Sequence, residues 1–384
     1  MSYSRPRGPT SAPSRALVQA PRSAPTPQNA RRRLRDKVLT VTGGDAAHVA
    51  PLVDTATGGL VLTGAHANHA VRELRKMHPN LLLLAEPDAA TRYVATASNP
   101  FLLNQDGLFS ETLTGVLEGQ RLSGADLTVT PTGFIEAGDY AALKAAVEAA
   151  NNVDRDDLVA LLPVSYHWMA DPHVRQLIAV ATRSRHMVAI ALGDSGGDPL
   201  SHRGVAAGYH RFFSEVPLAM AWRTDIAGFA AMAAGAASAA IGELPSLRRL
   251  APPRHQSMSS DKRDQTPHVL IAELLRYSRT SVMQINWFAS VNPYPCDCSF
   301  CIGRAVDRFS GSAEDRLAAH LHNTAVVTEL ATGITSLAAV ARAGWWEAKV
   351  RGATYAHDRL ASYTSVSVDM PANLKAWRAL LPQR

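Results

Sequence analysis

The chain reads as an α/β protein, a (β/α)8 TIM-type barrel carrying a C-terminal zinc-binding lobe. Three observations predict it. Short, nearly continuous apolar runs recur from residue 38 to residue 242, as strands buried on both faces require. Amphipathic stretches separate them, which is the alternation of a parallel sheet covered by helices. Beyond the last run, all three cysteines of the 384 residues crowd into Cys296-Asp-Cys298-Ser-Phe-Cys301.

The N-terminus stands apart. Eight of the 39 basic residues are arginines within positions 1–35, where there is no acid and where six prolines fall. Residues 1–36 are expected to be a disordered Arg/Pro-rich tail. It is either a flexible arm that adds salt-sensitive affinity for phosphates or a plain solvated tail. It has no apolar core of the kind a secretory signal needs. The remaining chain, with 31 basic and 33 acidic residues, is close to neutral.

Residues 37–250 are expected to form the barrel. The strands in order are Val38–Thr42, Leu60–Thr63, Leu81–Ala85, Asp126–Thr130, Leu158–Leu162, Met187–Leu192, Pro217–Trp222 and Ser238–Gly242. Helices are expected at Ala67–Met77, Asp139–Ala150, Asp171–Arg183 and Asp225–Ala234. A doubly wound open sheet is the competing arrangement, but no G-x-G-x-x-G follows the first strand. Residues 251–384 are assigned to the zinc-binding lobe and to C-terminal helices closing the barrel. They start with a polar loop over His255–Gln265 and a helical piece near Val269–Arg279. No run is long and apolar enough for a membrane span. Clustered cysteines without a disulfide framework suggest a reducing, cytoplasmic setting.

Three thiolates and one imidazole complete a tetrahedral zinc shell and leave no open position, so the site is expected to be structural. His322 supplies the fourth ligand from a helix that Ser312-Ala-Glu-Asp starts as an N-cap with acid in its first turn. His320 is the rival, but it cannot share a helix face with His322. An iron–sulfur cluster is the other metal option; it usually takes four thiolates.

Chemistry in such a barrel lies at the C-terminal ends of the strands. Asp88 ends the third strand and is the first catalytic candidate; an N-cap is the alternative. Glu243 follows the eighth strand and is the second, against a plain loop acid. Asp194, with Gly196 and Gly197, forms either a backbone turn that holds a base or phosphate or an ordinary β-turn. Tyr166 is a stacking candidate after the fifth strand, against simple packing. Arg248, Arg249 and Arg254 are placed to meet phosphates or to form a solvated basic loop. His66 and His69 read as surface or capping histidines.

A barrel followed by Cys296-x-Cys298-x2-Cys301 and then Leu321-His322-Asn323 resembles the tRNA-guanine transglycosylases. Arg223-Thr-Asp225-Ile, Gly235 and Ala239-Ala-Ile-Gly-Glu243-Leu-Pro-Ser246 run in register with that family's last strands. The resemblance implies a covalent exchange: a carboxylate attacks the sugar C1′, a second group exchanges protons with the leaving and entering bases, and the target base is flipped out. Two departures bear on it. Ile241 occupies the position where the family has its nucleophilic Asp, and Asp194-Ser-Gly-Gly197 follows the sixth strand rather than an early one. The chain is thereby more similar to the divergent relatives that place a 7-deazaguanine base in DNA. The implied partners are nucleic acid, with DNA favoured over tRNA, and the 7-deazaguanine base. A homodimer or a partner subunit is compatible with them. A catalytically inert nucleic-acid-binding subunit of the same fold is the rival reading. A flavin- or phosphate-binding barrel would need a glycine-rich turn after the seventh strand, and Trp222-Arg-Thr-Asp-Ile supplies none.

Overall fold

The computed structural model describes residues 29–104, 110–253 and 264–382. Eight parallel strands run in the order β3-β2-β1-β8-β7-β6-β5-β4, and a parallel bridge from Leu84 to Leu127 joins the two edges. They are β1 (Lys37–Thr42), β2 (Gly58–Thr63), β3 (Leu83–Glu86), β4 (Thr128–Val129), β5 (Leu158–Ser165), β6 (Met187–Gly193), β7 (Met220–Thr224) and β8 (Ser238–Gly242). The chain is a TIM-type barrel. Leu39, Val41, Val61, Leu84, Val159 and Trp222 fill its lumen, while the alternate residues pack against the surrounding helices.

Between the strands lie α2 (Ala46–Val49), α3 (Ala67–Met77), α4 (Leu113–Leu122), α5 (Tyr140–Asn151), α6 (His173–Ala181), α7 (Val205–Glu215) and α8 (Ala227–Ala234). Four of these fall where the sequence predicts helices. The sequence predicts no helix at α2, α4 or α7. Thr112 caps α4 by accepting the Gly115 N–H at 3.1 Å, so a start signal was present there.

Residues 29–36 correct the expected extent of the tail. They form α1 (Ala30–Leu34) with Asn29 as its cap, and Ala30 and Leu34 plug the N-terminal end of the lumen. The spacing i, i+4 puts those two apolar residues on one face and the arginines on the others. Arg33 reaches Asp126 at 3.3 Å, and the Asp36 N–H donates to Ala237 O at 2.8 Å. The tail assignment for 1–28 lies outside the described residues.

The expected helical piece at 269–279 is also corrected. It is an antiparallel hairpin, β9 (His268–Ile271) and β10 (Arg276–Arg279), turned by Leu275 at φ 46°. Val269, Ile271 and Tyr277 are β-branched or aromatic residues that favour strands, and the left-handed turn residue breaks any helix. Next come α9 (Thr280–Val282), the paired short strands β11 (Pro295–Cys296) and β12 (Arg304–Ala305), and the helices α10 (Ala313–Thr335), α11 (Ala339–Thr364) and α12 (Ala372–Ala379). Ser312 caps α10 as predicted, accepting the Asp315 N–H at 3.1 Å. The lobe is not a separate body: Cys301, Trp346 and Leu374 belong to the same apolar core as Ala221 and Phe229 of the barrel wall. Among the described residues no helix is long and apolar enough to cross a membrane.

Candidate active site and metal centre

Strand parity decides which side chains reach the barrel mouth. On β3, Leu84 faces the lumen, so Glu86 two residues later does too; on β2, Val61 brings Thr63 to the same side. Arg223 should point outward, since Trp222 before it faces the lumen. The register of β7 against β8 slips between Ala221 and Thr224, and Arg223 adopts φ 45°. That irregularity swings the guanidinium back over the mouth, as bulges beside functional sites do.

Arg223 thereby gathers the mouth acids. Its Nε lies 3.0 Å from Glu86 Oε1, its Nη2 lies 2.6 Å from Asp88 Oδ1, and it also donates to Thr63 Oγ1. Trp222 Nε1 donates to Glu86 Oε2 at 3.0 Å. Burial raises the Glu86 carboxyl pKa, with Arg223 opposing it. Burial alone would lower the pKa of Arg223, but the charges of Glu86 and Asp88 outweigh it and hold that pKa up.

Asp88 stands at the N-cap position of a 3-10 turn, Ala89–Thr91, as the alternative had it, but its side chain makes no cap hydrogen bond. It sits at φ 54°, so both members of the Asp88–Arg223 pair occupy the left-handed region that non-glycine residues avoid. The Asp88 side chain keeps 25% exposure, against 3% for Glu86. Its neighbours Glu86, Pro87 and Ala89 line a cleft of about 570 Å³.

Glu243 lies elsewhere. On β8, Ala240 faces the lumen while Ala239 and Ile241 face the outer layer, and Glu243 keeps their parity. Its Oε1 accepts from Thr42 Oγ1 at 2.6 Å, and its Oε2 is buried without a partner. Burial pushes its carboxyl up to about 7 against the Thr42 bond. The expected presentation of Glu243 at the mouth is therefore corrected: strand alternation directs it under α10.

Asp194 Oδ2 lies 2.8 Å from His202 Nε2. Both it and Tyr166 line a cleft of about 300 Å³ with Ser165 and Phe134. Tyr166 does not offer a face for base stacking. His167 covers one side at 4.0 Å and His202 the other at 3.9 Å, with interplanar angles of 26° and 6°. His202 was not among the sequence candidates; only the eight-residue spacing from Asp194 links them. Gly196 and Gly197 have no positive φ, and a Cβ on either meets nothing closer than Asp194 Oδ2 at 3.4 Å, so the backbone does not require glycine there.

Arg248 is buried in the wall rather than solvated. Its Nε donates to Gly242 O at 3.0 Å, its Nη2 to Glu243 O at 2.8 Å, and its guanidinium stacks 3.4 Å over Tyr277. Burial lowers its pKa. With Arg249, Asp198, Asp225 and His268 it lines a further cleft of about 410 Å³. Burial, with the nearby Asp225 charge, raises Asp198 to about 6, and burial beside Arg248 lowers His268 to about 4. Arg254 lies outside the described residues. His66 and His69 are exposed, and His66 makes no cap bond.

The metal-ligand prediction assembles as drawn. Cys296, Cys298, Cys301 and His322 place their ligand atoms within 4.8 Å of one another. His322 Nδ1 faces the three Sγ atoms at 3.7, 3.5 and 3.2 Å. Ligand atoms around a tetrahedral ion stand about 3.5–3.8 Å apart for metal–ligand bonds of about 2.0–2.3 Å, so the cluster could hold a metal ion. Its surroundings suit thiolates. Arg308 Nη2 lies 3.2 Å from Cys301 Sγ, the Cys301 N–H points at Cys298 Sγ at 3.3 Å, and His322 Nε2 lies 2.9 Å from Leu270 O, which frees Nδ1 for the ion. His320 instead pairs with Asp45 at 2.8 Å.

No family model matches the chain, and no curated protein matches it. Among solved structures it is similar to a 3-hexulose-6-phosphate synthase, at 17% identity and a TM-score of 0.30 over 53% of this chain and 89% of that one. It is also similar to dihydrodipicolinate synthase from Aquifex aeolicus, at 11% identity and a TM-score of 0.30 over 51% of this chain and 61% of that one. Neither likeness bears on the activity.

Proposed function

We propose that the chain is a base-exchange glycosyltransferase of the guanine transglycosylase type, placing a 7-deazaguanine in nucleic acid, DNA before tRNA. The observation that carries the reading is Asp88, a partly open carboxylate at the barrel mouth beside a cleft, held by the buried Arg223 in a strained pair. In this reading an Asp88 oxygen bonds to the sugar C1′ as the C1′–N9 bond breaks. The electron pair of that bond goes to the departing purine, which takes up a proton. The entering base then displaces Asp88 and gives up its own N–H proton. Asp194, paired with His202, is assigned both proton transfers. The Cys3His cluster holds one zinc ion with a filled shell and takes no part in the chemistry.

The experiment is incubation of the chain with radiolabelled guanine and duplex DNA or tRNA, scoring label kept in the polymer. Label in DNA is expected, and Asp88→Asn should lose it by at least about a hundredfold while the fold stays intact. Label undiminished in Asp88→Asn removes Asp88 from the mechanism. One observation favours the rival inert subunit: Ile241 stands where the resemblance implies the nucleophile, and Glu243 near it faces outward. Metal-loaded chain that labels neither polymer decides for that rival.

A further inference from the structure

We propose that the metal centre is mechanically tied to the β8 exit of the barrel through one side chain, Asn323. Metal occupancy then sets the order of residues 242–248. The adjacent residues His322 and Asn323 grip the C=O and the N–H of one hairpin residue, Leu270. His322 Nε2 donates to Leu270 O at 2.9 Å, and Asn323 Oδ1 accepts the Leu270 N–H at 2.7 Å. Asn323 Nδ2 donates to His268 O at 2.9 Å and approaches Glu243 O at 3.5 Å. One short helical segment thus meets the Cys3His cluster, the hairpin and the strand exit together.

Glu243 O is the point where this bracket reaches the barrel. The same carbonyl accepts from Arg248 Nη2 at 2.8 Å, and Arg248 also holds Gly242 O and lies over Tyr277, the hairpin residue paired with Leu270. On the barrel side the Glu243 N–H donates to Val41 O at 3.1 Å. The loop has no slack: a Cβ on Gly242 would lie 2.3 Å from Leu247 C and 2.5 Å from Arg248 N. Moving the hairpin therefore moves the strand exit or leaves buried groups unpaired. A buried N–H or C=O left without a partner costs about 1–3 kcal/mol, which favours concerted motion. With the ion absent, His322 Nδ1 trades a metal bond for weak contacts with the thiols, 3.2 Å at the nearest, so the ring that holds Leu270 O is less firmly fixed. The inference stands apart from base exchange, because its test reads backbone protection and not turnover.

The test is hydrogen exchange by mass spectrometry on the full chain, metal-loaded and after chelation, following peptides over 242–248. Chelation should speed exchange there by about tenfold or more. Asn323→Asp keeps the acceptor for Leu270 and loses the Nδ2 donor. It should bind the ion fully yet exchange faster at 242–248 even when loaded. Thr328→Ala on the same helix, whose hydroxyl contacts Leu52 O, is the control and should leave 242–248 unchanged. Chelation that speeds exchange at 296–304 but not at 242–248 overturns the proposal. So does a loaded Asn323→Asp that exchanges like the parent chain.

Discussion

The metal centre and the barrel-mouth network are both small polar clusters in an apolar protein, but they are built in opposite ways. The farthest-separated ligands of the metal centre, Cys296 and His322, are 26 residues apart, and its geometry follows from one tight loop and one helix. The mouth network joins Thr63, Glu86 and Asp88 to Arg223 across 160, 137 and 135 residues. It depends on a register slip in β7 and on two left-handed residues. The local cluster is closed, and its four ligand atoms could hold a metal ion. The distributed one is partly open, strained and held by charge pairing, as sites that meet a substrate tend to be.

The sharpest way to break the comparison is to empty the local cluster. Cys298→Ser should lose the ion and destabilise the lobe by more than about 4 kcal/mol, because loss of a structural metal is among the few large single-site effects. Metal analysis with a thermal melt checks it. A stable, metal-free variant would contradict the structural role.

The distributed cluster should fail by unpaired charge. Arg223→Met leaves Glu86 buried beside Asp88 without its cation and should cost about 3–5 kcal/mol in denaturant titration. Adding Glu86→Gln to that variant should restore much of the loss. If the double variant is no better than the single one, pairing is not what holds the mouth.

A smaller effect separates the mouth from Glu243, which no cation neutralises directly. Its folded pKa of about 7 lies above the unfolded 4.5, so the native state binds more protons between those values. The stability Glu243 contributes is full below pH 4.5 and is lost as pH rises to about 7, by up to about 3 kcal/mol. His268, lowered from 6.5 to about 4, acts with the opposite sign, so the parent profile partly cancels between pH 4.5 and 6.5. Comparing Glu243→Gln with the parent removes that term: the variant should gain relative stability as pH rises from 4.5 to 7. Parallel profiles would show that Glu243 titrates normally. The smallest effect is at Thr42→Val, expected to cost about 1 kcal/mol through the lost hydrogen bond to Glu243.

The sequence alone determined the strand order, the class of the barrel, the Cys3His set and the capped helix α10. Each rests on spacing along a short stretch: near-continuous apolar runs, cysteines within six positions, a cap three residues from the N–H it accepts. It did not determine which candidates meet. Glu243 reads as a mouth acid until strand parity turns it under α10. Tyr166 reads as a stacking platform until His167 and His202 close both its faces. Arg223 reads as an outward residue until β7 slips, and the hairpin at 268–279 reads as helix until Leu275 turns it. Those outcomes depend on register, bulges and left-handed residues, which cost only a few kcal/mol locally and are decided by how the whole barrel packs.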